Sequence, residues 1–182
     1  MNAPRSLEEI EQLYAARGGL HYGEGVTQVE HALQSAVLAQ AQGCPPSLVV
    51  AALLHDIGHL FESEEKVAEG RLDDRHEATG ARVLQALFPE AVYRPVALHV
   101  AAKRYLCFTE AQYWARLSLA SQKSLALQGG PFDQTQAQAF ERASFWPDAV
   151  QLRRFDDMGK RAEISGLAFA DFIPLVRGFL VT

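Results

Sequence analysis

The sequence predicts an all-α fold, and three observations carry that expectation. Apolar residues recur at helical spacing along the chain, as in Val29, Leu33, Ala36 and Val37. No stretch keeps up the strict apolar–polar alternation of a half-buried strand. Helix starts and stops are marked by polar caps and glycines: Ser6 with Glu9, Thr27 with Glu30, then Gly18-Gly19, Gly43 and Gly129-Gly130. A chain of 182 residues can bury one substantial core, so one domain spanning 1–182 is expected, with its core at about 22–160 and a helical tail at 161–182.

Taken in order, SLEEIEQLYAARGG is a short first helix with a capping box, stopped at Gly18. The loop LHYGEG carries His21, Tyr22 and Glu24, more functional side chains than a connector needs. A second helix opens at Thr27 and runs to Gly43, with His31 near its start. Pro45-Pro46 turns the chain into a central helix, LVVAALLHDIGHL, expected to reach about Gly58. On such a helix His55 and His59 share a face, with Asp56 about 100° round from His55. The charged stretch FESEEKVAEGRLDD reads as an exposed loop able to act as a lid.

Helix signals resume at Asp74 and end at Pro89, with His76 in the first turn and Val83, Leu84, Leu87 and Phe88 as the apolar face. The next helix, entered at Pro89 or Pro95, carries His99 with Lys103 one turn later on the same face. From Thr109 a helical pattern continues to Gly129-Gly130-Pro131; a further helix covers roughly Asp133 to Arg142. Asp156 and Asp157 follow among Val150, Leu152 and Phe155, and the tail reads as a helix interrupted by Pro174.

The net charge of −5 offers no basic field for nucleic acid or an anionic membrane, although a few local cations can still hold a small anion. The N-terminal MNAPRSLEEIEQL lacks an apolar signal core, and no segment approaches a membrane span, so a cytoplasmic protein is expected. Nothing in the sequence calls for an obligate protein partner. Cys44 and Cys107 read as reduced, partly buried side chains.

His31, His55–Asp56, His76, His99 and Asp156 fall on five helical segments. Imidazoles spaced by a helix plus its return come to one level of a bundle. Imidazole and carboxylate without thiolate suit iron, manganese or zinc. With Asp56 able to bridge, two metals are expected: one on His31, His55, Asp56 and Asp156, the other on Asp56, His76 and His99.

At this point the residues resemble the HD-domain superfamily, whose pattern is a histidine, a His–Asp pair and a later aspartate. The two intervening histidines match its two-metal branch, which contains phosphohydrolases as well as oxygenases. QVEHALQ, ALLHDIGH, HVAAKRYL, LASQKSLALQGGP and RRFDDMGK are similar to segments of the HD-domain diiron oxygenases that cleave the C–P bond of 2-amino-1-hydroxyethylphosphonate. The likeness runs from about Tyr22 to Lys160.

The resemblance implies a mixed-valent Fe(II)/Fe(III) pair on the ligands named above, dioxygen as co-substrate, and an organophosphonate as the small-molecule partner. The products would be an amino acid, glycine or glycine betaine, and phosphate. It implies that Lys103, His59 and Ser121 hold the phosphonate, with Asp56, His59 and Lys103 as the catalytic set. It also implies that Glu24 meets the substrate's ammonium and that Tyr22 caps an iron until substrate arrives. Tyr22 and Glu24 stand one residue closer together here than in the family, so either Tyr22 or His21 can fill the capping place. Both a primary ammonium and a trimethylammonium substrate fit the sequence. The readings that compete with the oxygenase are a metal-dependent phosphohydrolase of nucleotides or small phosphoesters, and a non-catalytic HD-fold binding module, which the complete ligand set argues against.

Overall fold

Seven consecutive residues, Leu48 to Leu54, are all buried. A helix apolar all round has no solvent face and must run through the middle of a helical protein. The computed structural model describes residues 3–21, 25–61, 75–160 and 166–181. Among these it is all-α, as the sequence predicts. Helices α1 (Leu7–Arg17), α2 (Gln28–Ala41) and α3 (Pro46–Leu54) lead to a 3₁₀ turn at Ile57–Phe61. Then follow α4 (His76–Leu84), α5 (Glu90–Thr109), α6 (Tyr113–Arg116), α7 (Leu119–Leu127), α8 (Gln134–Phe140), α9 (Trp146–Met158) and α10 (Phe169–Arg177).

Helix α5 is the hub, packing against α3, α4 and α9, while α2 lies against α3 and α9. The main core draws Leu7 and Ile10, Leu33 and Ala36, Leu48 to Leu54 of α3, Val92 and Val96, and Leu152 and Phe155 into one apolar body. Full burial of each large side chain contributes roughly 1.5–3 kcal/mol. The tail joins it through Phe172 and Val176, and Phe169 stacks on Tyr14 with centroids 4.4 Å apart. The Tyr14 hydroxyl donates to the Leu53 carbonyl (3.1 Å), satisfying a group freed where α3 ends. Two smaller clusters, around Leu106, Tyr113 and Leu125 and around Ala102, Phe140 and Ala149, build the α6–α9 side.

Thr27 and Glu30 form the full capping box that starts α2. Ser6 makes only half of one: its hydroxyl accepts from Glu9 N, while the Glu9 carboxylate accepts from Arg5 N at 2.7 Å. The buried stripe of α2 is turned from the expected one, with Leu33 and Ala36 fully buried but Val29 and Val37 only partly, because His31, Ala32 and Ser35 take the inner face.

Larger corrections concern helix ends. The central helix stops at Leu54 rather than Gly58, and His55 is its C-cap. Gly58 is the reason. A Cβ there would lie 2.0 Å from the His76 carbonyl oxygen and 3.0 Å from Gly80 N, so the backbone after Asp56 tightens to admit the start of α4. Helix α4 ends at Leu84 and a turn brings Phe88 into the core. The continuous helix expected after Thr109 is two helices, since Ser118 caps α7 by accepting from Ser121 N at 3.1 Å. Pro95 lies inside α5, which is entered at Pro89, and Pro174 lies inside α10 without interrupting it. Of the expected lid at 61–74 only Phe61 is described, at the end of the 3₁₀ turn; the rest of it and the loop residues Tyr22 and Glu24 lie outside the described residues. No described helix is long and apolar enough to cross a membrane.

Candidate active site

Three imidazoles are locked by backbone carbonyls. His31 Nδ1 donates to Gly159 O (2.8 Å), His55 Nδ1 to Ala52 O (2.9 Å) and His99 Nδ1 to Val96 O (2.8 Å). A carbonyl can only accept, so Nδ1 carries the proton and Nε2 of the neutral ring presents a lone pair. Those lone pairs converge: His31 Nε2 lies 3.2 Å from His55 Nε2, and His99 Nε2 lies 3.1 Å from Nε2 of His76, whose Nδ1 is held by no carbonyl.

Two lone pairs at that distance repel unless a cation or a proton stands between them. Protonation is disfavoured for most of the set. Burial lowers the His55 value, and burial with the neighbouring His59 charge puts His76 well below the usual imidazole range. Burial with His55 lowers His99 to about 4. His31 moves the other way: burial opposes its charge, but the Asp156 carboxylate at 3.4 Å outweighs it.

Around these rings stand the carboxylates. His31, His55 and Asp156 each place one donor atom within 4.8 Å of the others, and Asp56, His76 and His99 form a second such triad. Asp56 joins the two: Oδ2 is 3.5 Å from His31 Nε2, while Oδ1 is 3.5 Å from His55 Nε2, 3.5 Å from His76 Nε2 and 3.7 Å from His99 Nε2. Burial works against its charge, yet the imidazoles of His55, His59 and His76 hold its carboxyl below the ordinary range. Convergent lone pairs, buried anions and the absence of thiolate from the set suit a pair of divalent or trivalent cations.

His59 is buried as well, and it reaches the cluster by a different route from the shared helical face that the sequence suggests. It sits on the 3₁₀ turn, and its ring stacks on His76 with centroids 3.9 Å apart. His21 is solvent-exposed on the loop before α2 and is not among the converging donors.

On the α5–α7–α9 side lies a pocket of cations. Lys103 is 2% exposed and donates from Nζ to Ser124 Oγ at 2.8 Å; that hydroxyl donates to Ser121 O. Ser121 Oγ accepts from Arg153 Nη2 (3.2 Å) and Lys160 Nζ (3.1 Å). Burial and the Arg153 charge lower Lys103 to about 7. Asp156 ties this pocket to the first triad, with Oδ2 2.7 Å from Arg153 Nη1 and Oδ1 3.5 Å from Lys160 Nζ. Burial raises the Asp156 value, but Arg153 and Lys160 outweigh it and keep the group ionised.

Residues 29–125 match the HD-domain family. The chain is also 41% identical, over 179 residues covering 97% of it and 91% of the relative, to a [1-hydroxy-2-(trimethylamino)ethyl]phosphonate dioxygenase (glycine-betaine-forming) of Leisingera caerulea. This chain belongs to the HD-domain family. A hydroxymethylphosphonate dioxygenase of Gimesia maris is 44% identical over 167 residues, 91% of this chain and 82% of that protein. An uncharacterized protein of Acanthamoeba polyphaga mimivirus is 33% identical over 160 residues, 86% of this chain and 73% of that one.

Several residues of this HD-domain protein matter to the site without having stood out in the sequence. Arg153, Lys160 and Ser124 complete the cationic pocket. Arg153 lies three residues before Asp156, on the same helical face, and that spacing is the one signal that could have found it. Gly58 and Gly159 give the backbone its close approaches. A Cβ at Gly159 would lie 2.8 Å from Ser35 Oγ, 3.1 Å from Phe155 O and 3.3 Å from Ser35 N, so glycine lets the end of α9 press closely on α2 and offer its carbonyl to His31.

Proposed function

We propose that this HD-domain protein is a two-iron, dioxygen-dependent oxygenase that cleaves the C–P bond of a 1-hydroxyalkylphosphonate to a carboxylate and phosphate. The observation that carries the reading is Asp56 standing between two imidazole–carboxylate triads, one of which abuts a pocket of three buried or part-buried cations. The names of the two dioxygenase relatives share a hydroxyl and a phosphonate on one carbon and differ in the rest of the substrate. For this chain the proposed substrates are 2-amino-1-hydroxyethylphosphonate or its N-methylated analogue, giving glycine or glycine betaine.

The stoichiometry is closed: R–CH(OH)–PO₃²⁻ and O₂ give a carboxylate and phosphate, one oxygen atom entering each product. Two irons, when bound, would supply dioxygen activation and the electrons that pass during turnover. His31, His55 and Asp156 would hold one and His76 and His99 the other, with Asp56 shared. The backbone carbonyls on Nδ1 keep His31, His55 and His99 in their ligating tautomer. Lys103, Arg153 and Lys160, with Ser121 and His59, would bind the phosphonate oxygens and fix C1 toward the Asp56 centre. Burial of this set keeps water from competing for the anion.

Phosphate release by the iron-loaded protein in air and under strict anaerobiosis tests the reading. Release from 2-amino-1-hydroxyethylphosphonate or its N-methylated analogue only in air is the expected result. Activity on phosphoesters without dioxygen, and none on hydroxyphosphonates, would move the protein to the hydrolase branch of its family.

A further inference from the structure

Arg153 is held from every side. Nε donates to Tyr113 Oη (3.2 Å), Nη1 faces Asp156 Oδ2 at 2.7 Å, and Nη2 donates both to Asp157 Oδ1 and to Ser121 Oγ at 3.2 Å. The Tyr113 hydroxyl in turn donates to Asp157 Oδ2. A guanidinium has five N–H donors in a rigid fork, and these partners engage four of them, counting one on Nε, one on Nη1 and two on Nη2. Arg153 and Tyr113 are 3% and 4% exposed, so the guanidinium and the phenol meet their partners out of bulk water, with Asp157 part-buried at the edge.

From this geometry we infer that Tyr113 and Asp157 are a positioning pair for the anion pocket. They grip the Nε and Nη2 edge of Arg153 and so aim it at Ser121 on one side and Asp156 on the other. Neither belongs to the imidazole–carboxylate triads, and Tyr113 lies on α6, which carries none of their donors. Without the pair, the guanidinium would keep its attraction to Asp156 but lose the constraint that directs Nη2 toward Ser121. Anion affinity would fall and the donors of the two triads would stay in place. The inference rests on the phosphonate reading of the pocket, and its test is built to separate the two.

Wild type, Tyr113→Phe, Asp157→Ala and Asp157→Asn are compared in the iron-loaded protein by three readouts: iron content, affinity for inorganic phosphate by calorimetry, and KM against kcat on the hydroxyphosphonate. Tyr113→Phe keeps the ring and its packing, and should weaken phosphate binding and raise KM about tenfold, the size of one hydrogen bond to a charged group. Its iron content should equal that of wild type, with kcat within about twofold. Asp157→Ala should have the same or a larger effect, and Asp157→Asn, which restores an acceptor for the guanidinium, should recover part of it. Unchanged phosphate affinity in Tyr113→Phe and Asp157→Ala would overturn the proposal, as would iron loss in proportion to lost affinity or no recovery in Asp157→Asn. If wild type binds phosphate but cleaves no hydroxyphosphonate, the oxygenase reading falls while the affinity ratios still decide the pair. A wild type that binds no phosphate would overturn the pair along with the pocket.

Discussion

The two halves of the site are held in opposite ways. The imidazole cluster is fixed by main chain: His31, His55 and His99 each lean on a backbone carbonyl, and Gly58 and Gly159 let the helices carrying those groups close up. The cationic pocket is fixed mostly by side chains: Lys103 donates to Ser124, which donates to the Ser121 carbonyl, and Ser121 Oγ leads on to Arg153, Asp157 and Tyr113. Main-chain support resists change, because a substitution cannot delete a carbonyl. Side-chain support can be altered one residue at a time, so the second half is where this protein can be tuned without dismantling its centre.

The largest effect should come from the group common to both triads. Asp56→Ala removes the carboxylate that lies within 3.7 Å of the His31, His55, His76 and His99 imidazoles. It should abolish retention of both metals and lower kcat/KM by more than about a thousandfold, equivalent to roughly 4 kcal/mol. Elemental analysis showing full metal in the variant would contradict the shared role of Asp56.

Next comes a backbone test of the first half. Gly58→Ala places a methyl group 2.0 Å from the His76 carbonyl oxygen, and neither the Cβ nor that main-chain carbonyl can rotate out of the way. The helix α4 must move, at a cost of about 3 kcal/mol, lowering Tm by about 6–12 °C in a domain of this size. Metal content should fall with it, since His76 rides on the displaced segment. A variant that melts like wild type would show that the close approach does not set the cluster.

Lys103→Ala breaks the second half alone. It should raise KM for the hydroxyphosphonate about 10- to 100-fold while leaving metal content intact. Burial and the Arg153 charge bring Lys103 to about 7, so its charge is present below that pH and is lost as pH rises through it. The ratio of KM in Lys103→Met to KM in wild type should therefore fall as pH is raised between about 6 and 9. Taking the ratio cancels the substrate's own ionisation, and a flat ratio would remove the lysine charge from anion binding. The smallest effect is expected from Ser124→Ala, which deletes only the hydroxyl that receives the lysine; KM should rise about threefold.

How much of this could be read in the chain follows the same division. The histidines were legible because each rides on its own helix at a helix-plus-return interval, a one-dimensional signal that packing then converts into a cluster. The all-α fold was legible for the same reason, from periodicity and from caps such as Thr27 with Glu30. Where α3 ends was not, because nothing in LVVAALLHDIGHL punctuates it except Gly58, whose meaning depends on α4 arriving from twenty residues away in sequence. The split between α6 and α7 hung on Ser118, a cap with no glutamate three residues on to announce it. Arg153 and Lys160 sit in RRFDDMGK, where charge alone does not say which side chains turn inward. Only the fold turns Arg153 inward against Asp156, Asp157 and Tyr113.

The oxygen-atom balance of the reaction tests the central claim most directly. Under ¹⁸O₂ in ordinary water, the iron-loaded protein acting on 2-amino-1-hydroxyethylphosphonate should release phosphate carrying one ¹⁸O and a carboxylate carrying the other. Phosphate that takes its fourth oxygen from water instead, with no label from dioxygen in either product, would mean hydrolysis and contradict the account.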